Sequence, residues 1–245
     1  MKTVMPRIRK SLRERGLIVS LGRGVLLPIH LFQEYRRARK DRGNQVPSTF
    51  DLENQVATDG EINGWTHLSD LDIPSPNWIY GTNYTPIEPV RFRAIFSSLH
   101  LQFEDFVFVD FGSGKGRALL LASELPFKRV LGLEFSPDLH AIAQRNIERY
   151  ASHRKSGPVE SVCMDFLSFA PPPEPLILFF YDPCEDTVLI KLVRNLHESL
   201  RANPRASYLI YVAPTQSKRA ALDAAKGFTR VSENVELGTC VYRIG

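Results

Sequence analysis

A glycine-rich run that begins with a carboxylate lies near the middle of the chain, Asp110-Phe-Gly-Ser-Gly-Lys-Gly116. Glycines at alternate positions let the backbone approach a ligand closely and turn sharply into a helix. The dinucleotide fingerprint G-x-G-x-x-G has another spacing, and its backbone amides face a pyrophosphate. An aspartate two residues before the first glycine would repel a pyrophosphate and attract an ammonium or sulfonium group. The run therefore favours a zwitterionic, positively charged cofactor over a dinucleotide.

Two more carboxylates follow apolar segments further along the chain. Glu134 comes twenty residues after Gly114, where a carboxylate can accept hydrogen bonds from both hydroxyls of an adenosine ribose. Asp165 follows the next apolar segment and is expected to accept a hydrogen bond from an adenine amino group, with a helix cap as the alternative. The three carboxylates together predict an adenosyl ligand that carries positive charge.

The apolar segments that precede these residues are predicted to be strands. Five of them are expected to be parallel strands: Phe106–Phe111, Val130–Phe135, Val159–Met164, Leu176–Tyr181 and Ala206–Val212. Leu176–Tyr181 lacks polar alternation, and continuous apolar strands are typical of a parallel sheet covered on both faces. Phe228–Val235 and Thr239–Ile244 are too close for a crossover helix and are expected to pair antiparallel around Gly238. The predicted fold is a doubly wound, Rossmann-like α/β domain with a mostly parallel seven-stranded sheet and an antiparallel C-terminal strand pair. Ligands bind such sheets outside the carboxyl ends of the strands.

Segments with helical spacing of apolar residues separate the strands. The predicted helices cover Arg117–Leu125, residues 136–150 with Ser136 as N-cap, Glu185–Leu200 and Gln216–Lys226. Another helix is expected before the first strand, because Thr85-Pro86-Ile87-Glu88 has the pattern of a capping box. This helix is predicted to run to about Leu99, with Val90, Ala94 or Phe92, and Leu99 on its apolar side.

Asp110, the glycine run, Glu134 and Asp165 resemble the cofactor motifs of class I S-adenosylmethionine-dependent methyltransferases. The likeness covers about residues 80–245, and residues 77–149 are most similar to little-characterised bacterial methyltransferases. It implies that Glu134 binds the ribose and Asp165 the adenine. Asp110 and the loop residues Gly112, Ser113, Gly114 and Gly116 would face the methionine moiety.

Tyr84-Thr85-Pro86 is similar to a segment of the non-SET lysine methyltransferases. This likeness implies that Tyr84 and Thr85 close over the methionine end of the cofactor. A helix cap is the alternative role for Thr85.

The resemblance also implies where the methyl acceptor binds. Amino-group methyltransferases often carry Asn/Asp-Pro-Pro-Tyr/Phe after the fourth strand, and this chain has Asp182-Pro183 there, followed by Cys184. Asp182 and Pro183 are the candidate catalytic residues, and the expected reaction is direct displacement at the sulfonium methyl by a protein or other amine nitrogen. Cys184 has no histidine nearby in sequence, so a small loop residue is favoured over a nucleophile. Two alternatives stay open: a non-catalytic cofactor-binding or scaffold protein, and a nicotinamide-dependent oxidoreductase.

Charge divides the chain into three parts. Residues 1–45 hold twelve Lys and Arg against three Asp and Glu, whereas the other 200 residues have a local charge of −5. This basic arm is expected to be a solvated extension or to bind nucleic acid or an anionic membrane surface. Residues 46–83 are predicted to be an irregular linker or lid, and residues 84–245 the methyltransferase domain. Three widely spaced cysteines predict a reduced, cytoplasmic protein without disulfides. Peripheral membrane association through the arm is one alternative, and packing of its apolar part on the domain or on a partner is the other.

Overall fold

The computed structural model describes residues 47–60, 66, 68, 71, 73–75, 77 and 80–245. The basic arm predicted for residues 1–45 lies outside the described residues, as do Trp65 and Trp78 of the predicted linker. No helix in the described part of the chain has the length and apolar character that crossing a bilayer requires.

A single seven-stranded sheet forms the centre of the fold, in the order β3-β2-β1-β4-β5-β7-β6. The strands are β1 Val107–Phe111, β2 Arg129–Glu134, β3 Val159–Cys163, β4 Leu176–Tyr181, β5 Ser207–Val212, β6 Phe228–Asn234 and β7 Thr239–Ile244. Strands β1 to β5 pair in parallel, and β7 runs antiparallel to both of its neighbours, β5 and β6. This confirms the predicted doubly wound sheet with its antiparallel C-terminal pair.

The apolar composition of the central strands follows from their burial on both faces of the sheet. Every residue of β1 is buried, and so are the first five residues of β4. The core on one face is largely aromatic, with the rings of Phe92, Phe108 and Phe179 in mutual contact. On the other face, leucines of the helix that follows β4 are buried in a second cluster. Burial of each such side chain contributes about 1.5–3 kcal/mol to stability.

Six α-helices occur in the part of the chain that the structure describes: α1 Thr49–Asn54, α2 Pro89–Ser97, α3 Arg117–Ser123, α4 Pro137–Arg149, α5 Asp186–Ala202 and α6 Gln216–Asp223. Helix α4 begins as its sequence predicts, with Ser136 as N-cap, Pro137 in the first turn, and the Ser136 side chain accepting a hydrogen bond from the backbone of Leu139. This cap places the start of α4 directly after β2, where the chain leaves the sheet.

The capping box predicted at Thr85 is wrong. Helix α2 begins at Pro89, its N-cap is Glu88, and the Glu88 side chain makes no capping hydrogen bond. A residue that precedes proline is driven towards extended backbone, and Glu88 has ψ 130° for this reason. The predicted apolar face is wrong at Val90, which is exposed, and right for the alternative Phe92, which α2 buries together with Ile95 and Phe96.

The expectation that residues 46–83 are irregular throughout is wrong for α1. Ser48 caps this helix by accepting a hydrogen bond from the backbone N–H of Asp51, and Phe50 and Asp51 are buried. Six residues are too few to show the apolar period of a helix, so the pattern could not reveal α1.

Candidate functional site

A cleft of about 590 Å³ lies at the carboxyl ends of β1, β2 and β4, where ligands bind in open α/β sheets. Most residues singled out from the sequence line it: Tyr84, Thr85, Asp110, Gly112, Ser113, Glu134, Asp165, Asp182 and Pro183. Gly114 and Gly116 stand back from this lining, because Gly114 packs under Tyr84 and Gly116 packs against Ala143 of α4. Ala213, which follows β5, is also part of the lining, so the cleft brings together the loops that follow the five strands β1 to β5.

Asp110 is a buried carboxyl near the end of β1. Only 4% of the residue is exposed, and burial raises the pKa of this carboxyl to about 8, with the neighbouring charge of Glu134 adding to the increase. Among the described residues, no cation forms an ion pair with Asp110. A positively charged ligand group in the cleft would therefore stabilise the ionised form of Asp110.

Glu134 connects the glycine loop to the start of α4. Its Oε2 accepts a hydrogen bond from Gly114 N–H at 2.7 Å, and its Oε1 accepts one from Ser136 N–H at 2.8 Å. Burial raises the pKa of Glu134 to about 7, although these backbone donors act in the opposite direction. The carboxylate thus fixes the shape of the loop while it also lines the cleft.

The backbone amides of the glycine loop are directed towards protein oxygen atoms. Gly112 N–H and Ser113 N–H both donate to the carbonyl oxygen of Leu133, at 2.9 and 3.0 Å. Gly114 N–H donates to the Glu134 side chain, and Gly116 N–H donates to the carbonyl oxygen of Ser113. A pyrophosphate needs such amides as its donors, so this loop lacks the usual dinucleotide cradle.

Gly114 lies directly under the ring of Tyr84. It has φ +55°, and a Cβ built on it would stand 2.1 Å from two carbon atoms of that ring. The Tyr84 hydroxyl donates a hydrogen bond to the carbonyl oxygen of Thr58 at 2.5 Å, which holds the ring in this place. Only glycine allows the loop and the ring to approach so closely.

S-adenosylhomocysteine is the demethylated form of the cofactor that the sequence predicts. Gly114→Ala is expected to raise its dissociation constant about tenfold. The physical reason is that the added methyl group must displace Tyr84 from its place in the cleft. Titration calorimetry measures the affinity. Gly238→Ala is the matched control, because Gly238 also has φ +56° and an added Cβ there would stand 2.8 Å from the guanidinium of Arg91, which is not part of the cleft lining. Equal affinities for Gly114→Ala and the control would contradict the proposed importance of the Tyr84 contact.

Asp165 caps the short 3-10 helix Phe166–Ser168 through the backbone N–H of Leu167, at 2.9 Å. Its other oxygen, Oδ2, accepts hydrogen bonds from Ser75 Oγ at 2.8 Å and from Asn77 Nδ2 at 2.6 Å. The helix cap that the sequence offered as an alternative is therefore present. Asp165 also lines the cleft, so its contact with an adenine stays a prediction.

Asp182 follows β4 with an uncommon backbone conformation, φ +46°. Its Oδ1 accepts hydrogen bonds from the hydroxyl of Tyr211, at 3.0 Å, and from the ammonium group of Lys218. Thr82 Oγ1 donates to its backbone carbonyl oxygen at 2.6 Å. Within the described residues, no group donates to Oδ2, so this oxygen is left for a ligand in the cleft.

Sequence reasoning missed the partners of Asp182. Tyr211 is buried within β5, and Lys218 is buried in the first turn of α6. They lie 29 and 36 residues after Asp182 in the chain. Lysine in a predicted amphipathic helix is ordinarily solvated. The only feature in the sequence that could have pointed to Lys218 is its place directly after the strand-to-helix turn at Thr215, on the ligand-binding edge of the sheet.

Cys184 is a buried residue of the same loop. Burial raises the pKa of its thiol to about 12, so the thiolate needed for nucleophilic attack is scarce at neutral pH. This supports the sequence-based preference for a small loop residue. In the described part of the chain, no group of three His, Cys, Asp or Glu side chains is arranged to hold a metal ion.

Iodoacetamide at pH 7.5 is expected to modify Cys163 while leaving Cys184 intact in the folded protein, because Cys163 is exposed and Cys184 is buried. Mass spectrometry of tryptic peptides measures the modification at each site. Unfolding in guanidinium should make both thiols reactive and serves as the control. Faster modification of Cys184 than of Cys163 in the folded protein would contradict the assignment of Cys184 as an inert residue.

No family model matches the chain, and no curated protein matches it. Among solved structures, the RNA methyltransferase from Salinibacter ruber in complex with S-adenosyl-L-homocysteine is 20% identical; the match covers 66% of this chain and 92% of that one, with a TM-score of 0.44. A mutant of MtNAS in complex with S-adenosylmethionine is 16% identical, with coverages of 63% and 61% and a TM-score of 0.46. The mitomycin 7-O-methyltransferase MmcR is 14% identical, with coverages of 64% and 53% and a TM-score of 0.46. The chain thus spans less than two thirds of the length of the latter two proteins.

Proposed function

We propose that the chain is a methyltransferase that binds S-adenosylmethionine in this cleft and transfers its methyl group to an acceptor beside Asp182. One observation carries the proposal: two buried carboxyls, Asp110 and Glu134, line a cleft whose glycine loop turns its amides away. Such a site attracts a cationic adenosyl ligand and offers little to a pyrophosphate. A nicotinamide-dependent oxidoreductase is therefore the weaker alternative.

The polar groups of the cleft fit the proposed cofactor. Asp110 provides the negative charge for its ammonium group, and Glu134 provides acceptors for the ribose hydroxyls. Ser113 lines the cleft, but its hydroxyl is buried and packs towards Gly132 of β2, so it is not counted among these groups. Asp165 follows β3, and Asn77 donates a hydrogen bond to it; both line the cleft and provide polar groups where adenine is expected.

When bound, S-adenosylmethionine supplies a methyl group that is already activated by the sulfonium. The protein must therefore mainly align the acceptor with it, and alignment of this kind can supply about 7–11 kcal/mol of barrier reduction. Asp182 is suited to this task because Lys218 and Tyr211 hold one of its oxygens, while the other can accept a hydrogen bond from the acceptor. A hydrogen-bearing nucleophile such as an amine fits this arrangement.

Transfer of a labelled methyl group into a cell lysate tests the proposed reaction. Full-length protein, lysate and S-adenosylmethionine with a tritiated methyl group are incubated together, and the lysate is then separated into protein, nucleic acid and small molecules. Label is expected in one of these fractions only when folded protein is present, and boiled protein is the control. Binding of S-adenosylhomocysteine without any transfer would favour the alternative of a non-catalytic cofactor-binding protein.

A further inference from the structure

Residues 48–59 form a segment that we call the clasp, and it contacts the glycine loop from outside the cleft. It comprises α1 and the turn that follows, and it is joined to α3 by two buried charges, Asp51 and Arg117. Asp51 is 4% exposed and Arg117 is 2% exposed. Buried ion pairs are costly to desolvate and are often no better than apolar contacts for stability, so stability alone does not explain this pair.

The carboxylate of Asp51 holds the clasp in a closed turn. Its Oδ2 accepts hydrogen bonds from the backbone N–H of Thr58 at 2.6 Å and from that of Asp59 at 2.8 Å. Its Oδ1 accepts hydrogen bonds from the Thr58 hydroxyl at 2.6 Å and from Arg117 at 3.2 Å. Every bond fixes a direction as well as a distance, which an apolar contact would not do.

Arg117 fastens this turn to the first residue of α3. Its Nε donates to the Thr58 hydroxyl and its Nη2 to Asp59 Oδ1, both at 2.5 Å. Its guanidinium carbon lies 5.3 Å from the centre of the Phe50 ring. Since Gly116 immediately precedes Arg117, the clasp is joined directly to the end of the glycine loop.

Two carbonyl oxygens of the clasp accept hydrogen bonds from side chains at the glycine loop. The carbonyl oxygen of Thr58 accepts the bond from Tyr84, whose ring covers Gly114. The carbonyl oxygen of Asp59 accepts a hydrogen bond from Lys115 Nζ at 2.8 Å. A shift of the clasp would therefore move the Tyr84 ring and the loop together.

Asn146 of α4 joins the clasp to the loop a second time. Its Oδ1 accepts a hydrogen bond from Ala57 N–H at 2.9 Å, and its Nδ2 donates to the carbonyl oxygen of Lys115 at 2.9 Å. Only 1% of Asn146 is exposed. One buried amide thus sets the spacing between the clasp and the backbone of the glycine loop.

We infer that Asp51 and Thr58 are positioning residues for the amino-acid end of the cofactor, acting through Tyr84, Lys115 and Arg117. This inference rests on the proposed function, because it assigns the glycine loop to the methionine moiety. Asp51 is not part of the lining of the cleft, so its effect on binding must pass through the glycine loop or through Tyr84 and Arg117, which do line it. Asp165, where the adenine is expected, has no hydrogen bond to the clasp among the described residues.

Two ligands separate a positioning role from a role in stability alone. S-adenosylhomocysteine carries the amino-acid moiety, whereas 5′-methylthioadenosine has the same adenosyl sulfur without it. If the clasp positions the loop, a change in the clasp lowers the affinity for S-adenosylhomocysteine more than the affinity for 5′-methylthioadenosine. General destabilisation of the fold lowers the affinity for both ligands by the same factor.

Asp51→Asn and Tyr84→Phe are the test variants, and both are measured by titration calorimetry in the full-length protein. Asp51→Asn is expected to raise the dissociation constant of S-adenosylhomocysteine about tenfold, because hydrogen bonds to a charged carboxylate are lost. Tyr84→Phe is expected to raise it about threefold, because one neutral hydrogen bond is lost. The dissociation constant of 5′-methylthioadenosine should change less than about twofold in both. Tyr242→Phe is the matched control, since it removes a tyrosine hydroxyl bonded to Asp223 at 3.1 Å, away from the cleft.

The inference is overturned if both variants bind S-adenosylhomocysteine as tightly as wild type does. It is also overturned if the variants lose affinity for S-adenosylhomocysteine and for 5′-methylthioadenosine by the same factor. Should Asp51→Asn fail to fold, Tyr84→Phe alone decides, because it removes the hydrogen bond to the clasp at Thr58 without truncating the ring. Failure of the wild-type protein to bind S-adenosylhomocysteine would instead refute the proposed function. The two failures are therefore distinguishable in one set of titrations.

Discussion

Asp110→Asn is expected to weaken the binding of S-adenosylhomocysteine at least about a hundredfold at pH 8.5. The variant loses the buried carboxylate that pairs with the ammonium group of the ligand, and breaking such a pair costs about 3–5 kcal/mol. Asparagine has nearly the same shape, so the loss reports the charge and not the packing. Titration calorimetry measures the effect. Asp138→Asn, which removes an exposed carboxylate from the first turn of α4, is the matched control and should bind as wild type.

The same residue makes ligand binding depend on pH. The pKa of Asp110 is raised to about 8 in the ligand-free protein, so the carboxyl is largely protonated at pH 6 and must lose its proton to pair with the ammonium group. The affinity is therefore expected to fall up to about tenfold for each pH unit below 8. Asp110→Asn should remove most of this slope, and equal slopes in the two proteins would contradict the assignment.

Stability of the ligand-free protein should change with pH in the opposite sense. The pKa of Asp110 is higher in the folded protein than in the unfolded chain, where it is about 3.9. The group's stabilising contribution is then complete below about pH 4 and is lost as the pH rises through about 8. Thermal unfolding midpoints should therefore decline between pH 5 and pH 8 more in wild type than in Asp110→Asn.

Asp182→Asn is expected to lower the rate of methyl transfer by about a hundredfold or more, because orientation and proton acceptance by a carboxylate contribute about 10²–10⁴-fold. The affinity for S-adenosylhomocysteine should stay within about threefold of wild type, since Asp182 lies at the proposed acceptor side of the cleft. Asparagine retains an oxygen for Lys218 and Tyr211, which limits the structural disturbance. Label incorporated into lysate per minute is the measurement.

Glu185→Gln is the matched control for this experiment, because Glu185 is an exposed carboxylate three residues further along and its side chain makes no capping hydrogen bond. Its transfer rate should equal that of wild type. Unchanged transfer by Asp182→Asn would show that the acceptor does not bind beside Asp182. A parallel loss of cofactor affinity would place Asp182 on the cofactor instead.

The sequence sufficed to predict which carboxylates share the cleft. Asp110 and Glu134 each lie at the end of an apolar segment, Asp165 comes soon after another, and the carboxyl ends of parallel strands meet at one edge of the sheet. The antiparallel end followed from the short connection before β7. These features are local in sequence or follow from general rules of chain topology.

The contacts around these carboxylates could not be predicted, because they join distant segments. Nothing near Asp182 indicates that Lys218 would reach it. The resemblance places Tyr84 and the glycine loop at the same end of the cofactor, but it does not predict that the Tyr84 ring packs directly on Gly114. The clasp is also hidden in the sequence, since α1 is short and Asp51 resembles any solvated aspartate. The start of α2 is different, because Pro89 was visible in the sequence and its effect on the preceding residue outweighed the capping pattern.

Titration of the full-length protein at pH 8.5 with S-adenosylhomocysteine, and separately with NAD, tests the central claim most directly. We expect one molecule of S-adenosylhomocysteine to bind per chain and NAD to give no heat of binding. Binding of NAD alone, or of neither ligand by folded protein, would contradict a cleft built for a cationic adenosyl cofactor.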